Sequence, residues 1–262
     1  MILKPPKGAQ LRRGHPLSRG LVGYWLMNEA GGSVVQDLSG NGRTGTFGLS
    51  DANYPTWTTG LHGPAVKFVL AQSQGIGFTG PYNDSAAGTI IAYVYPDDVS
   101  SDQVIFNGGS GTNRLYVTWG YTPSKFGMRF GEDTLIESSG TYEVGWHCVA
   151  LTFQKSGPVI LYVDGVQAAS GTHSAGLIGD GTGYWGYYEG NYYFKGSMSG
   201  GCCYNRVLSP SEIARLYRDP YQMVRRDPIE LWTAAASGGS APTTFKPYWI
   251  PRRHQTIGAG VI

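Results

Sequence analysis

Apolar and polar positions alternate along most of this chain, and the alternation resets at short runs rich in Gly, Asp, Asn and Ser. Successive side chains on a strand point to opposite faces, so alternation with a period of two predicts half-buried β-strands. Leu21–Leu26, Ala65–Leu70, Thr89–Tyr95, Gln103–Asn107, Arg114–Trp119, Lys125–Phe130, His147–Phe153 and Val159–Val163 fit the pattern. Turn signals recur about every eight to twelve residues, the rhythm of a sandwich. In LTFQKSGPVILYVDGVQAAS the strands flank Asp164-Gly165, a pair that tolerates positive φ at both positions and so predicts a type I′ hairpin. The period changes once. Leu208-Ser209-Pro210-Ser211-Glu212 supplies a capping Ser, Pro at the first helical position and Glu three residues after the cap. Ile213, Leu216 and Tyr217 then recur at helical spacing, and Asp219-Pro220 ends the element, so a helix is predicted over 209–218. The fold class is therefore all-β: a two-sheet antiparallel sandwich with one short C-terminal helix and extended terminal arms.

The ends differ from this body. Residues 1–19 lack periodicity and crowd Lys4, Lys7, Arg12, Arg13 and Arg19 together, which reads as a basic arm. Residues 20–233 hold the sandwich. Beyond it, Ala234–Thr244 is a linker rich in Ala, Ser and Gly. The final stretch, FKPYWIPRRHQTIGAGVI, is too apolar for a linker, and 234–262 reads as linker plus docking arm. Phe245, Tyr248, Trp249, Ile250, Arg252 and Arg253, with Arg12 and Arg13 at the other end, are the candidate partner-docking residues.

Composition agrees with many short strands: Gly 40, Tyr 18 and only 15% charged residues in 262. A net charge of +2 gives no mandate for nucleic acid or membrane. Cys148, Cys202 and Cys203 are an odd number without a CxxC pair, against a disulfide framework or zinc site. On a strand, adjacent Cys202 and Cys203 point to opposite faces. The N-terminus lacks the apolar core of a secretory signal, and no stretch reaches the length of a transmembrane helix, so synthesis in a cytosol is expected.

GLVGYWLMNEAGGSVVQDLSGNGRTGTF (20–47) resembles the opening of laminin-G-like, concanavalin A-like jelly-roll domains. GPAVKF (63–68), TIIAYVYPDD (89–98), GWHCVALTF (145–153) with LYVDGV (161–166), and FKGSMSGGCCYNRVLSPSEIARLY (194–217) resemble further motifs of that family, in its order. Two departures stand out. Ser199-Gly200-Gly201 replaces the usual acidic pair, and Cys148 stands where a second His is common. The opening is also similar to laminin-G-like proteins encoded by tailed bacteriophages and environmental viral genomes.

Some glycosidases share the implied sandwich, and retaining chemistry needs two carboxylates about 5–5.5 Å apart. Glu132 and Asp133 are adjacent and would face opposite ways, and Glu137 lies beyond Leu135-Ile136, so the spacing is wrong. GxSxG, HExxH and Walker-type motifs are absent, the five His are scattered, and no catalytic residue is assigned. Asp37 and Asn41 offer oxygen ligands of the kind calcium takes. The same run reads as a turn in which Asp and Asn bond their own backbone, and that reading is favoured, with no metal or cofactor assigned. GTGYWGYYEGNYYF (181–194) puts Tyr184, Trp185, Tyr187, Tyr188, Tyr192 and Tyr193 on a Gly-rich segment. Such rings stack on ligand faces or, alternatively, fill the core.

The expected function is a non-enzymatic virion structural protein of a bacteriophage, a capsid decoration or fibre component present in many copies. Its arms would dock on other virion proteins or sister copies. The alternative is a carbohydrate-binding module for host-surface or environmental glycans.

Overall fold

A computed structural model describes residues 2–48, 54–69, 74–99, 102–109, 114–131, 135–173, 179–188 and 192–224. The chain divides into two units, Met1–Arg226 and Asp227–Ile262, and all described residues belong to the first. The C-terminal docking candidates Phe245, Tyr248, Trp249, Ile250, Arg252 and Arg253 lie outside the described residues, as do Glu132 and Asp133.

The described strands form two antiparallel sheets of eight. The first runs β14 (Val166–Thr172), β13 (Pro158–Val163), β12 (His147–Gln154), β7 (Ala87–Pro96), β16 (Gly196–Tyr204), β5 (Pro64–Phe68) and β4 (Thr56–Thr59). On the same edge of β16, β1 (Leu21–Trp25) pairs beside β5. The second runs β11 (Ile136–Glu137), β10 (Phe126–Phe130), β9 (Leu115–Trp119), β8 (Gln103–Gly108), β15 (Asp180–Trp185), β6 (Ile76–Asn83), β3 (Gly45–Phe47) and β2 (Val34–Val35). This is the expected two-sheet sandwich.

Alternation explains the layers. In β7, β12 and β16 the residues Ile90, Ala92, Val94, Val149, Leu151, Phe153, Met198 and Cys203 enter the core between the sheets, against Phe106, Val117, Trp119, Phe126 and Trp185 of the second. Their alternates Ile91, Cys148, Ala150, Cys202 and Tyr204 face outward and are buried too, in a second cluster. Cys202 and Cys203 thus sit on opposite faces, as strand geometry requires. Burial raises all three thiols, Cys202 up to about 12, and none is bridged. Strands buried on both faces need a cover. The helix α1 (Pro210–Arg218) supplies part of it through Ile213 and Leu216.

Local chemistry sets the helix and hairpin. Ser209 Oγ accepts from Glu212 N–H at 3.3 Å, and Glu212 Oε2 accepts from Ser209 N–H at 2.9 Å, closing the capping box. Glu212 also forks with Arg206 at 2.7 and 2.9 Å, which is the main reason its carboxyl falls to about 2. Asp164 and Gly165 take φ of 52° and 80°, joining β13 to β14 as predicted. At Ser199 the β16–β7 register shifts, and Gly200 follows with φ 134°. A Cβ on Gly200 would lie 2.8 Å from the Trp25 carbonyl, and one on Gly201 would lie 2.7 Å from the Trp185 ring. In this chain the two glycines let both tryptophans close on β16.

The N-terminal basic segment packs on its own domain. Leu17 is fully buried, and Ile2, Ala9 and Leu11 pack against the outer cluster of the first sheet. Lys4 is buried, and its Nζ donates to Ser199 O at 2.8 Å, to Met27 O at 3.3 Å and to Pro64 O. Burial pulls this amine down to about 7 against the opposing pull of Glu29. Arg12 N–H donates to Met223 O at 2.8 Å, while Arg13 is exposed with its guanidinium over Gly40. The lack of periodicity fits a segment, residues 2–19, that covers a sheet by scattered anchors. Among the described residues no helix is long and apolar enough to cross a membrane.

Candidate functional site

The outward face of the second sheet is open where the first sheet's is covered. Along β9 the residues Leu115, Val117 and Trp119 enter the core, so Tyr116 and Thr118 face out. Along β10 Phe126, Met128 and Phe130 go in, leaving Gly127 and Arg129 outside. Register then assembles two rows. Val104, Thr118, Gly127 and Glu137 align across β8 to β11, and Asn107, Tyr116 and Arg129 align beside them. Above them Arg114, Tyr121, Leu135, Tyr188, Tyr192 and Asp102 complete a cleft of about 700 Å³. Gly127 keeps its floor low: a Cβ there would lie 2.7 Å from Thr118 Oγ1.

One wall is aromatic. Tyr116 and Tyr188 meet edge to face with centroids 4.7 Å apart, and Tyr192 stacks on Tyr188 at 5.9 Å. The Arg114 guanidinium lies 5.5 Å from the Tyr116 ring and 5.4 Å from the Tyr188 ring, and donates to Tyr188 Oη at 2.5 Å. Tyr121 and Tyr192 remain 61% and 41% exposed, leaving ring faces for a ligand.

The floor is polar and incompletely bonded. Asp102 Oδ1, Tyr116 Oη and Thr118 Oγ1 are buried without a hydrogen-bond partner. Buried polar atoms are normally paired, because an unmade bond costs about 1–3 kcal/mol, so these three are free to bond whatever fills the cleft, water or a polar ligand. Burial raises the Asp102 carboxyl; Arg129 opposes the rise and Glu137 adds to it. Glu137 itself accepts from Thr122 N–H at 2.9 Å and Thr122 Oγ1–H at 2.7 Å. Burial likewise raises the Tyr116 phenol.

Of the six aromatic candidates, only Tyr188 and Tyr192 line this cleft. Tyr184, Tyr187 and Tyr193 form a separate run of rings, at 5.1 and 5.6 Å. Trp185 is corrected outright: it is 0% exposed, packed on Trp25, Phe78 and Phe106, and unavailable to a ligand. Sequence reasoning missed Asp102, Arg114, Tyr116, Thr118 and Arg129. The only signal was strand alternation, which marks Tyr116 and Thr118 as sharing a face.

The Asp37 run is the predicted turn. Its carboxylate accepts from the backbone N–H groups of Tyr24, Ser39 and Arg43 at 2.8–3.0 Å, and from Ser39 Oγ–H at 2.8 Å. The two departures from the family pattern fall together, since Cys148 and Ser199 both line a small pocket with His62, His147, Tyr93 and Trp146. Nδ1 of His147 is bonded to Asp164 at 2.8 Å. No group of three His, Cys, Asp or Glu suited to a metal occurs among the described residues.

Solved structures share the fold. Domain 4 of AbnA, a GH43 extracellular arabinanase from Geobacillus stearothermophilus, in complex with arabinotriose, is 19% identical with a TM-score of 0.62, covering 75% of this chain and 98% of that one. The binding domain of Paraclostridial Mosquitocidal Protein 1 is 16% identical with a TM-score of 0.63, covering 79% of this chain and 53% of that one. Trypanosoma rangeli sialidase in complex with sialic acid is 19% identical with a TM-score of 0.60, covering 78% of this chain and 33% of that one. The chain therefore spans about half of the second of these and a third of the third. No match is found among curated proteins. The family model Laminin_G_3, described as the concanavalin A-like lectin/glucanases superfamily, matches residues 70–214, more than half of the 262. With that match laid over this two-sheet sandwich, the chain belongs to the Laminin_G_3 family of the concanavalin A-like lectin/glucanases superfamily.

Proposed function

We propose that this protein binds carbohydrate, without cleaving it, in the cleft on the outer face of its second sheet. One observation carries the reading: three unpartnered polar groups, on Asp102, Tyr116 and Thr118, converge beneath exposed tyrosine rings. A sugar supplies what both lack. Its C–H face lies on an aromatic ring, and its hydroxyls bond the polar floor. Arabinotriose bound by a domain of the same fold supports the ligand class. Binding of the full chain to a glycan array, lost in the double variant Tyr188→Ala/Tyr192→Ala while the melting temperature holds, is the expected result. An empty array with correctly folded protein overturns the reading.

A second reading places this sandwich on a bacteriophage virion, as a capsid decoration or fibre component in many copies. It is favoured by Phe245, Tyr248, Trp249 and Ile250 beyond a Ser/Gly linker, an unusual concentration of large apolar side chains. The packed residues 2–19 leave the anchoring role in this reading to the C-terminal segment. Deleting residues 237–262 should abolish incorporation into particles and leave a folded domain; normal incorporation of the truncated protein sinks the idea.

A further inference from the structure

We infer that the cleft takes a run of about three sugar units along β9 in place of a single sugar, and that Tyr121 is the platform for the unit farthest from Tyr188. The inference rests on the carbohydrate reading and names the ligand class for the same site: oligosaccharide chains.

Strand register spreads the unpartnered groups along the cleft floor. Tyr116 and Thr118 lie two positions apart on β9 and face out together. Gln103 pairs with Trp119, so Asp102, one residue earlier, stands level with Gly120, two positions beyond Thr118. Gln103 and Trp119 are both fully buried, and alternation turns Asp102 back to the cleft. Tyr116 Oη, Thr118 Oγ1 and Asp102 Oδ1 therefore follow one another in a row, each buried without a hydrogen-bond partner. A strand rises about 3.4 Å per residue, so the four positions span roughly 14 Å of backbone. One six-membered sugar ring with its hydroxyls covers only part of that length. Three linked rings cover it, with one floor group beneath each.

The aromatic rings divide in the same direction. Tyr188 meets the Tyr116 ring near the start of β9, and Tyr192 stacks on Tyr188. Tyr121 lies two residues past the other end of β9, in the turn to β10 where Gly120 N–H donates to Lys125 O at 2.9 Å. Glu137 accepts from the next residue, Thr122, through its N–H and its hydroxyl, and so ties this turn to β11. The Tyr121 ring is 61% exposed at the cleft, on a backbone held at both sides. The tyrosine wall alone would serve one sugar; Tyr121 extends the site to the far end of β9. A volume of about 700 Å³ agrees, because sites of about 300–1,000 Å³ enclose ligands of several rings.

The test titrates the full chain with arabino-, xylo-, cello- and galacto-oligosaccharides of one to six units. Affinity should climb from one unit to three, by about 10-fold or more in total, and level off beyond. Tyr121→Ala removes a ring that is mostly in solvent, so the melting temperature should hold. This variant should weaken the trisaccharide about fivefold and leave the monosaccharide unchanged. Tyr188→Ala, at the near end, should weaken ligands of every length. A monosaccharide bound as tightly as the trisaccharide, or Tyr121→Ala acting equally on all lengths or on none, overturns the inference while the carbohydrate reading stands. Silence across all four series overturns both.

Discussion

Arg114 and Tyr188, separated by 74 positions in the chain, are joined by a hydrogen bond of 2.5 Å and by a guanidinium 5.4 Å from the ring centroid. The pair ties the start of β9 to the segment after β15 and fixes the aromatic wall of the cleft. Arg114→Ala removes both a cation–π contact and a hydrogen bond, each about 1 kcal/mol. Unfolding free energy should fall by about 1–2 kcal/mol in denaturant titration, and glycan affinity should fall about 10-fold by titration calorimetry as the aromatic wall loosens.

Trp185→Ala behaves differently. The ring is enclosed by Trp25, Phe78 and Phe106, and its loss opens a cavity in the main core. Destabilisation of about 3–5 kcal/mol is expected in denaturant titration. A variant as stable as the parent but deficient in sugar binding would show that the ring reaches the ligand after all.

Gly200→Ala tests the bend in β16. The position has φ 134°, and its new Cβ would meet the Trp25 carbonyl at 2.8 Å, a backbone atom that has no rotamer to adopt. Strain and contact together should remove about 3 kcal/mol or more. A thermal melt within a degree or two of the parent contradicts this.

The capping carboxylate Glu212 gives the acid limb its shape. Its folded-state pKa of about 2 lies below the ordinary 4.5, chiefly through Arg206, so its contribution is complete above pH 4.5 and disappears as pH falls towards 2. With solvent screening the contribution is on the order of 1 kcal/mol. Glu212→Gln should therefore lower stability at pH 7 by about that amount and converge with the parent near pH 2. Parallel stability curves over the whole range would assign the carboxylate no such role.

What was legible in the sequence was local. Asp164-Gly165 announces its hairpin because both residues accept positive φ, and Ser209 with Glu212 announces the helix start because each caps the other's backbone. The opposite faces of Cys202 and Cys203 follow from strand geometry alone. The cleft is another matter. Asp102, Tyr116, Arg129 and Glu137 come from separate parts of the chain, and only cross-strand register brings them side by side. The Tyr-rich segment was conspicuous, yet composition could not separate Tyr188 and Tyr192, which line the cleft, from Trp185, which fills the core. The burial of Lys4 was not legible either, because the carbonyls that hold it come from distant parts of the chain.

That lysine also bears on where the protein can be cut. Three main-chain oxygens from Met27, Pro64 and Ser199 converge on a single side chain, and they belong to β5, β16 and the residues just after β1. A fragment begun at Gly20, the first residue of the recognisable domain pattern, would strip the lid from this sheet face and leave those oxygens facing one another across an empty slot. Shortened versions intended for crystallisation or display should therefore retain the opening residues, and a fusion partner there is better joined ahead of them than put in their place.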